Sequence, residues 1–115
     1  MRLILLGVSY RKTPLEVREH MSFTENNLEK AYRALCASEA VAEAMILSTC
    51  NRVELYAAGE SQKALELALR DFLKRTHAHA GIDYQGHLYR MSGYQAAMHL
   101  FHVAAGLDSM IPGEN

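Results

Sequence analysis

The sequence has no tryptophan, only two prolines and only two cysteines among its 115 residues. Two cysteines do not make the disulfide framework of a small secreted domain, so the expected location is a reducing cytoplasm and each cysteine is expected to act as a thiol. No apolar run reaches the roughly 18 residues of a membrane span, so no contact with a membrane is expected. The first residues carry one positive charge and a short apolar run without a small-residue cleavage site, so no signal peptide is expected.

An excess of one charge is also missing, because 12 basic residues face 13 acidic ones. Nucleic-acid-binding domains usually have a clear basic excess, so composition does not indicate one here. Arg70, Lys74 and Arg75 form a local basic cluster that is typical of a solvated helix face. Neither G-x-G-x-x-G nor G-x-x-x-x-G-K-[ST] occurs, so neither common nucleotide-binding fingerprint is present. Half of the residues are hydrophobic, which is enough for one domain, 1–115, with a core of its own.

Hydrophobic periodicity predicts an α+β fold with the order β-α-β-β-α-β and one more helix at the C-terminal end. This is the split βαβ, or ferredoxin-like, arrangement. The predicted strands cover 3–8, 44–47, 53–58 and 87–91. The predicted helices cover 23–37, a segment after Ser61 that frays through 76–79 and ends before Gly81, and 93–105. Thr13 is the expected N-cap of a further short helix that Pro14 opens, and Ser22 to Glu25 read as a capping box. Ser61 and Ser92 are expected to cap the later helices.

The two cysteines differ in their surroundings. Cys36 follows Leu35 near the apolar stripe of a predicted helix, so it is expected to be a small buried core residue. Cys50 lies in a polar turn between two apolar strands, with Arg52 two residues away. Positive charge favours the thiolate, which is the form that attacks an acyl carbon. The residues alone leave a nucleophilic Cys50 and an ordinary turn cysteine both open.

Among the six histidines, His99 and His102 share one face of the last predicted helix because they are three residues apart. The pair suits a structural or interfacial face. It would also suit a metal site, although no third ligand is evident and no metal is predicted. His99 is also a candidate acid or base, since an imidazole exchanges its proton near neutral pH. The segment after Gly106, with Ser109 and Glu114, is either a simple helix exit or a loop that lines the cleft of Cys50.

Three segments together resemble one family. They are Gly7 to Glu19, with the letters GVSYRKTPLEVRE, Leu47 to Tyr56, with LSTCNRVELY, and His99 to Ser109 continuing through Gly113 and Glu114. The family is glutamyl-tRNA reductase, which starts tetrapyrrole synthesis by reducing glutamyl-tRNA to glutamate-1-semialdehyde with NADPH. The resemblance covers essentially the whole chain and implies that residues 1–115 are the N-terminal catalytic domain.

The resemblance also implies roles for individual residues. Cys50 would be the nucleophile that releases the tRNA and forms a thioester, and His99 would be the second catalytic residue. Arg52 would hold the side-chain carboxylate of the substrate, a task that suits an always-charged guanidinium. The implied substrate-binding residues are Thr49, Asn51, Arg52, Ser109, Glu114 and Asn115.

The family pattern continues beyond Asn115 into an NADPH-binding domain and a dimerisation region. NADPH is therefore expected to bind to a domain missing from this chain, and the chain alone is not expected to complete the reduction. The implied partners are glutamyl-tRNA, a second subunit in the full-length homodimer and glutamate-1-semialdehyde aminomutase. The alternative is a non-catalytic ferredoxin-like module that binds RNA or an amino acid, because a fold does not fix a function.

Overall fold

The structure is a computed structural model that describes residues 1–77 and 84–106. In chain order the elements are β1 (Arg2–Ser9), α1 (Leu15–Met21), α2 (Glu25–Cys36), β2 (Glu43–Ser48), β3 (Arg52–Gly59), α3 (Gln62–His77), a 3₁₀ turn (Gln85–His87), β4 (Tyr89–Ser92) and α4 (Gly93–Ala104). This mixture of helices and an antiparallel sheet confirms the predicted α+β class. The predicted continuation of α3 to residue 79 lies outside the described residues.

The four strands form one sheet in the order β2-β3-β1-β4, and every pair of neighbours is antiparallel. The central strand β1 pairs with β3 along its whole length, from Arg2 opposite Gly59 to Ser9 opposite Arg52. On its other side, Gly7 of β1 lies opposite Tyr89 of β4. One short segment of β1 therefore brings β3 and β4 together near the start of β3.

Both faces of the sheet are covered, which explains why β1 is a continuous apolar run rather than an alternating one. Ile4, Leu6 and Val8 of β1 lie in the larger core, which α1, α2 and α3 cover. Leu5 points to the opposite face and packs in a smaller cluster with Ala96 of α4. The β3 side chains that point away from the main core therefore lie under α4 and are covered by it.

Two predicted helix starts are wrong. Helix α1 begins at Leu15 with Pro14 as its N-cap, so Thr13 is not the cap residue. Helix α2 begins after Thr24, which makes no side-chain cap hydrogen bond. The Ser22 hydroxyl instead donates to the Glu19 carbonyl at the end of α1. The predicted capping box fails because α1 extends to Met21 and uses Ser22 for its own C-terminus.

The caps of the later helices agree better with the sequence. Ser61 precedes α3, and its hydroxyl accepts the Ala64 amide at 3.2 Å. Ser92 is the N-cap residue of α4 but makes no side-chain cap hydrogen bond. Gly106 follows α4 with a φ of 78° and ends it as expected. Within the described ranges, no helix is both long and apolar enough to cross a membrane.

The prediction that Cys36 is a core residue is wrong, because Cys36 is exposed. Leu35, the preceding residue of α2, is buried. The next residue of a helix points about 100° further around its axis, since the helix has about 3.6 residues per turn. Proximity in sequence to the apolar stripe therefore does not place Cys36 within it.

Candidate active site

Cys50 occupies the middle of the three-residue turn that joins β2 to β3. The Thr49 amide donates to the Arg52 carbonyl at 2.8 Å and closes the turn. The Thr49 side-chain oxygen accepts the amides of Asn51 and Arg52 at 3.1 and 3.2 Å. These bonds hold the backbone on both sides of Cys50, while the Cys50 side chain remains exposed.

The Thr49 hydroxyl accepts two backbone hydrogen bonds and keeps its own proton to donate. A hydroxyl has one proton to donate and two lone pairs that accept. Both accepting positions of Thr49 are used by the two backbone amides of the turn. The remaining capacity of this group is its proton, which a substrate oxygen near Cys50 can accept.

Arg18 holds the turn from outside, a contact that the sequence did not predict. Its Nη1 donates to the Cys50 carbonyl at 2.6 Å, and its Nε donates to the Thr13 carbonyl at 3.1 Å. The Arg18 guanidinium thus binds the backbone carbonyl of the residue that carries the thiol. The hydrogen-bond contact of the thiol itself is with Asn51 Oδ1 at 3.7 Å.

A groove of about 330 Å³ runs beside Cys50 on the side of α1. Its lining includes Leu15, Arg18, Phe23, Ser48 and Thr49. The Ser48 hydroxyl accepts the Phe23 amide at 2.9 Å, which ties the α1–α2 junction to the hairpin. The groove is thus bounded by elements that are hydrogen-bonded to one another.

The side chains of Arg52 and Glu54 lie under α4, on the face of the sheet opposite to the one that α1, α2 and α3 cover. Their side chains are almost completely buried, with exposed fractions of 4% and 0%, and Arg52 Nη1 lies 3.7 Å from Glu54 Oε2. The ring of Tyr10 packs over the Arg52 guanidinium, with 5.9 Å between the guanidinium carbon and the ring centroid. Arg52 is therefore held against a carboxylate and covered by an aromatic ring.

Glu54 collects three further polar groups. Tyr56 donates its hydroxyl to Oε1 at 2.8 Å, and the Tyr89 hydroxyl donates to Oε2. His99 Nε2 of α4 lies 2.5 Å from Oε2, and the His99 ring contacts the Tyr89 ring edge-to-face. A buried carboxylate is costly unless its oxygens are paired and hydrogen-bonded, and here both are.

The two phenols of this cluster are held in their protonated form. Burial is the largest cause that raises the pKa of Tyr56 and of Tyr89 far above the ordinary range, and the Glu54 charge and hydrogen bond add to it. The Arg52 charge opposes this shift in both residues. Both hydroxyls therefore remain donors to Glu54 at any pH near neutrality.

Gly7 makes the Glu54 cluster possible because it lies between Glu54 and Tyr89 in the sheet. A Cβ at Gly7 would lie 2.9 Å from Glu54 Cγ and 3.0 Å from the Tyr89 hydroxyl oxygen. Only a residue without a side chain leaves room for the bond from Tyr89 to Glu54 across β1.

Replacing Gly7 with alanine is expected to lower the free energy of unfolding by about 1 to 3 kcal/mol, because the added methyl overpacks the cluster. Gly86→Ala is the matched control, since a Cβ there meets nothing within 4 Å and its φ is not positive. Urea denaturation of both variants measures the difference. Equal midpoints for the two variants would contradict the role of Gly7.

The structure places the predicted site residues in two groups. Thr49, Cys50 and Asn51 lie together in the turn, whereas His99 belongs to the Glu54 cluster, with its Nε2 bonded to Glu54 and not to the thiol. Arg52 links the groups, because its backbone closes the turn and its side chain lies in the cluster. The predicted substrate-binding residues Ser109, Glu114 and Asn115 lie outside the described residues.

The metal interpretation of His99 and His102 finds no support in the described part of the chain. His102 is exposed, whereas His99 is bonded to Glu54. The described residues contain no group of three or more histidine, cysteine, aspartate or glutamate side chains that could hold a metal ion.

The fold and the site together define an α+β domain that carries an exposed thiol on a hairpin turn held by hydrogen bonds. A buried arginine–glutamate pair lies beside this turn. A family model described as the glutamyl-tRNA(Glu) reductase N-terminal domain matches residues 6–115. The chain belongs to this family.

Individual relatives agree with this assignment. Over 99% of its length, the chain is 46% identical to a glutamyl-tRNA reductase of Solibacter usitatus and 45% identical to one of Stenotrophomonas maltophilia. It also resembles the solved structure of glutamyl-tRNA reductase from Methanopyrus kandleri, with a TM-score of 0.70 and 31% identity over 97% of this chain. The chain covers 27%, 25% and 24% of these three proteins, so it spans about a quarter of their length.

Proposed function

We propose that Cys50 is the nucleophile of an acyl transfer from glutamyl-tRNA, the first half of the reduction that yields glutamate-1-semialdehyde and begins tetrapyrrole synthesis. The observation that carries the proposal is the exposed Cys50 side chain on a turn held by Thr49 and Arg18. Membership of the glutamyl-tRNA reductase family supplies the substrate. A fixed backbone below an accessible thiol suits attack on a large substrate, because the geometry of attack is set in advance.

In the proposed step the Cys50 thiolate attacks the carbonyl carbon of the ester that joins glutamate to the tRNA. A carbon–sulfur bond forms and the carbon–oxygen ester bond breaks. The electron pair of the broken bond goes to the ribose oxygen of the tRNA, which takes up a proton and leaves as a hydroxyl. The products are free tRNA and a glutamyl thioester on Cys50, so the atoms and electrons balance.

The hydroxyl proton of Thr49 supports this step. Negative charge develops on the ester oxygen during the attack, and a donor fixed in place stabilises it without reorganisation. Because two backbone amides occupy the accepting positions of the Thr49 hydroxyl, its proton remains available to donate. We assign Thr49 to the substrate oxygen on this basis.

Arg52 is proposed to bind the side-chain carboxylate of the glutamyl group. Its backbone lies two residues from Cys50, and its charge is held in place by Glu54. Tyr10 packs over the guanidinium in the present conformation, so the proposed contact requires the Tyr10 ring to move aside. A bidentate bond from guanidinium to carboxylate would then replace the contact with the ring.

The remaining site assignments stay predictions. His99 uses Nε2 for Glu54, so any proton that it moves at the ester has to pass through Nδ1. Asn51 contacts the thiol through its side-chain oxygen. Ser109, Glu114 and Asn115 keep the substrate contacts that the resemblance implies for them.

The family reaction also uses NADPH, and the residues present do not fit it. Dinucleotides bind at the carboxyl edge of parallel strands, on a glycine-rich loop that opens a helix. The described sheet is antiparallel throughout, and the sequence has no such loop. We therefore propose only the acyl-transfer half for this chain and derive no hydride-transfer step.

A trapping experiment tests the acyl transfer. The 115-residue chain is mixed with labelled glutamyl-tRNA, quenched with acid and analysed by peptide mass spectrometry. A glutamyl adduct on the peptide of Cys50 is expected, with none on that of Cys36. Cys36 is a control within the same molecule, because it is also an exposed free thiol. An absence of adduct on Cys50, or equal labelling of both cysteines, would overturn the proposal and favour a non-catalytic binding module.

Replacing Arg52 with glutamine is expected to reduce kcat/KM for glutamyl-tRNA by on the order of 30- to 1000-fold, because a buried charged partner is removed. This corresponds to a loss of about 2 to 4 kcal/mol of transition-state stabilisation. The loss is expected to be much smaller for glutaminyl-tRNA, whose side chain has no charge for Arg52 to bind. Steady-state deacylation of both substrates gives the ratio. A purely structural role of Arg52 would lower both rates equally, and an unchanged ratio would contradict the carboxylate contact.

For the fold, we infer that the domain has the ferredoxin-like split βαβ arrangement. The support is that β3 lies between β1 and β2 and is antiparallel to both, so the two strands joined through α2 are parallel and separated. The cytoplasmic location, the homodimer and the aminomutase partner stay predictions. The two free cysteines are compatible with a reducing compartment.

A further inference from the structure

We propose that the loop Tyr10–Thr13, called here the basic loop, binds the phosphate backbone at the 3′ end of the tRNA. This inference rests on the proposed function, because it takes an RNA-linked ester as the substrate of Cys50. It adds the surface that receives the RNA, which the overall charge of −1 does not indicate.

The basic loop is joined directly to the turn of Cys50. The Tyr10 amide donates to the Asn51 carbonyl at 2.8 Å. Arg18 connects the far end, because its guanidinium donates both to the Thr13 carbonyl and to the Cys50 carbonyl. Two separate links therefore hold the loop beside the residue that would attack the ester.

The loop is also held from its other sides. The amides of Lys12 and Thr13 donate to the Ser9 carbonyl at 3.3 and 3.0 Å, which makes a tight turn at the end of β1. His87 Nδ1 lies 3.2 Å from the Lys12 carbonyl. A backbone fixed in this way loses little conformational entropy when it binds a ligand.

Arg11 and Lys12 give this loop its charge, and both are exposed. The Arg11 guanidinium carbon lies 5.3 Å from the centroid of the Tyr10 ring, so a cation and an aromatic face stand side by side. Lysine and arginine neutralise phosphates, and arginine and tyrosine also stack on unpaired bases. The end of an acceptor strand offers both kinds of group.

The position of the glutamyl ester determines where the acceptor strand has to pass. The glutamyl ester lies on the terminal ribose, so a thiol that attacks it comes within bonding distance of the last nucleotide. The phosphates next to that ribose then lie over residues that border the turn of Cys50. Among these, the basic loop supplies adjacent exposed cations.

The basic cluster on α3 is partly compensated by acidic neighbours. Arg70 is paired with Glu66 at 2.9 Å, and Arg75 is paired with Asp71 at 3.0 Å. These pairs join residues four apart on one solvated helix, as is common for surface helices. Two of the three cations of this cluster, Arg70 and Arg75, are therefore held by acidic side chains of the same helix.

Binding of a labelled, uncharged acceptor-stem minihelix tests the inference without any chemistry at Cys50. The double variant Arg11→Ala/Lys12→Ala is compared with the parent by fluorescence anisotropy at several salt concentrations. Binding is expected to weaken by on the order of 10- to 50-fold at about 50 mM salt, and the slope of log K against log salt is expected to fall by about 1.4. This slope corresponds to two lost phosphate contacts on a single strand.

The matched control is Arg2→Ala/Lys63→Ala. It removes the same number of exposed charges at the opposite end of the sheet, where Arg2 pairs with Gly59 and Lys63 lies in the first turn of α3. This control is expected to bind the minihelix as the parent does. Equal binding by both double variants, or no detectable binding by the parent, would overturn the inference.

A second arm separates this inference from the proposed function. Acylation by a small activated ester of glutamate needs Cys50 but no RNA contact. The Arg11→Ala/Lys12→Ala variant is expected to react with it at the parental rate. A loss of this rate would mean that the basic loop acts on the thiol and would overturn the assignment to RNA. Normal minihelix binding by a parent that forms no adduct would instead contradict only the proposed function.

Discussion

Replacing Cys50 with serine is expected to reduce deacylation of glutamyl-tRNA to the spontaneous rate, a fall on the order of 10³-fold or more. A thiol is partly ionised near neutral pH, whereas a serine hydroxyl needs an adjacent general base. The hydrogen-bond contact of the Cys50 thiol is with the Asn51 side-chain oxygen, and an amide oxygen is not a general base. Loss of acid-precipitable label from glutamyl-tRNA over time measures the rate.

Cys36→Ser is the control for this substitution. Cys36 is exposed on α2 and takes no part in the turn, so its removal is expected to leave the rate and the stability unchanged. If Cys50→Ser deacylates glutamyl-tRNA as fast as Cys36→Ser, the nucleophilic role of Cys50 is wrong. Matching unfolding midpoints for the two variants would show that the comparison concerns chemistry and not folding.

Replacing Glu54 with alanine is expected to reduce the free energy of unfolding by about 3 to 5 kcal/mol, because it leaves a buried guanidinium without its carboxylate. Arg52 is 3% exposed, so water reaches its charge poorly. The hydroxyls of Tyr56 and Tyr89 lose their acceptor at the same time. Urea unfolding followed by circular dichroism measures the loss.

Glu54→Gln and Glu60→Ala complete this experiment. The glutamine variant keeps the volume and a hydrogen-bond acceptor but removes the charge, so its loss is expected to fall between that of the alanine variant and zero. Glu60 is an exposed acid just beyond β3, and its removal is expected to change stability by no more than about 0.5 kcal/mol. A Glu54→Ala midpoint equal to that of Glu60→Ala would contradict the importance of the cluster.

The sequence is sufficient to predict the strand–turn–strand segment around Cys50. Val53, Leu55 and Ala57 alternate with polar or small residues, and all three lie in the main core. The polar stretch between the strands has no apolar side chain to bury, so it forms the turn. Local alternation decides both results, which is why no tertiary information is needed for them.

Glu54 could not be assigned in the same way. From the alternation of β3 alone, Glu54 is predicted to lie on a solvent-facing side of the sheet. In the structure, α4 covers this side. The partners of Glu54 lie 35 and 45 residues later, at Tyr89 and His99. The only sequence feature that indicated burial of this face was the predicted C-terminal helix, because a further helix beside this sheet has to pack on one of its faces.

Arg18 escapes prediction for a similar reason. It lies on a helix that reads as an ordinary amphipathic segment, and its contact with the Cys50 carbonyl spans 32 residues. The register of the sheet and the path of the loop after β1 decide this contact. Neither can be obtained from periodicity, which describes one element at a time.

The ring of Tyr10 over Arg52 has a consequence for substrate selection if Arg52 binds the glutamyl carboxylate as proposed. Uncovering the guanidinium costs the free energy of its contact with the ring, so Arg52 stays covered until a substrate displaces Tyr10. A carboxylate offsets that cost with a charged hydrogen bond, whereas the neutral amide of glutamine does not. Under the proposed contact, the ring over Arg52 would therefore select for the charged glutamyl side chain against its neutral glutamine analogue.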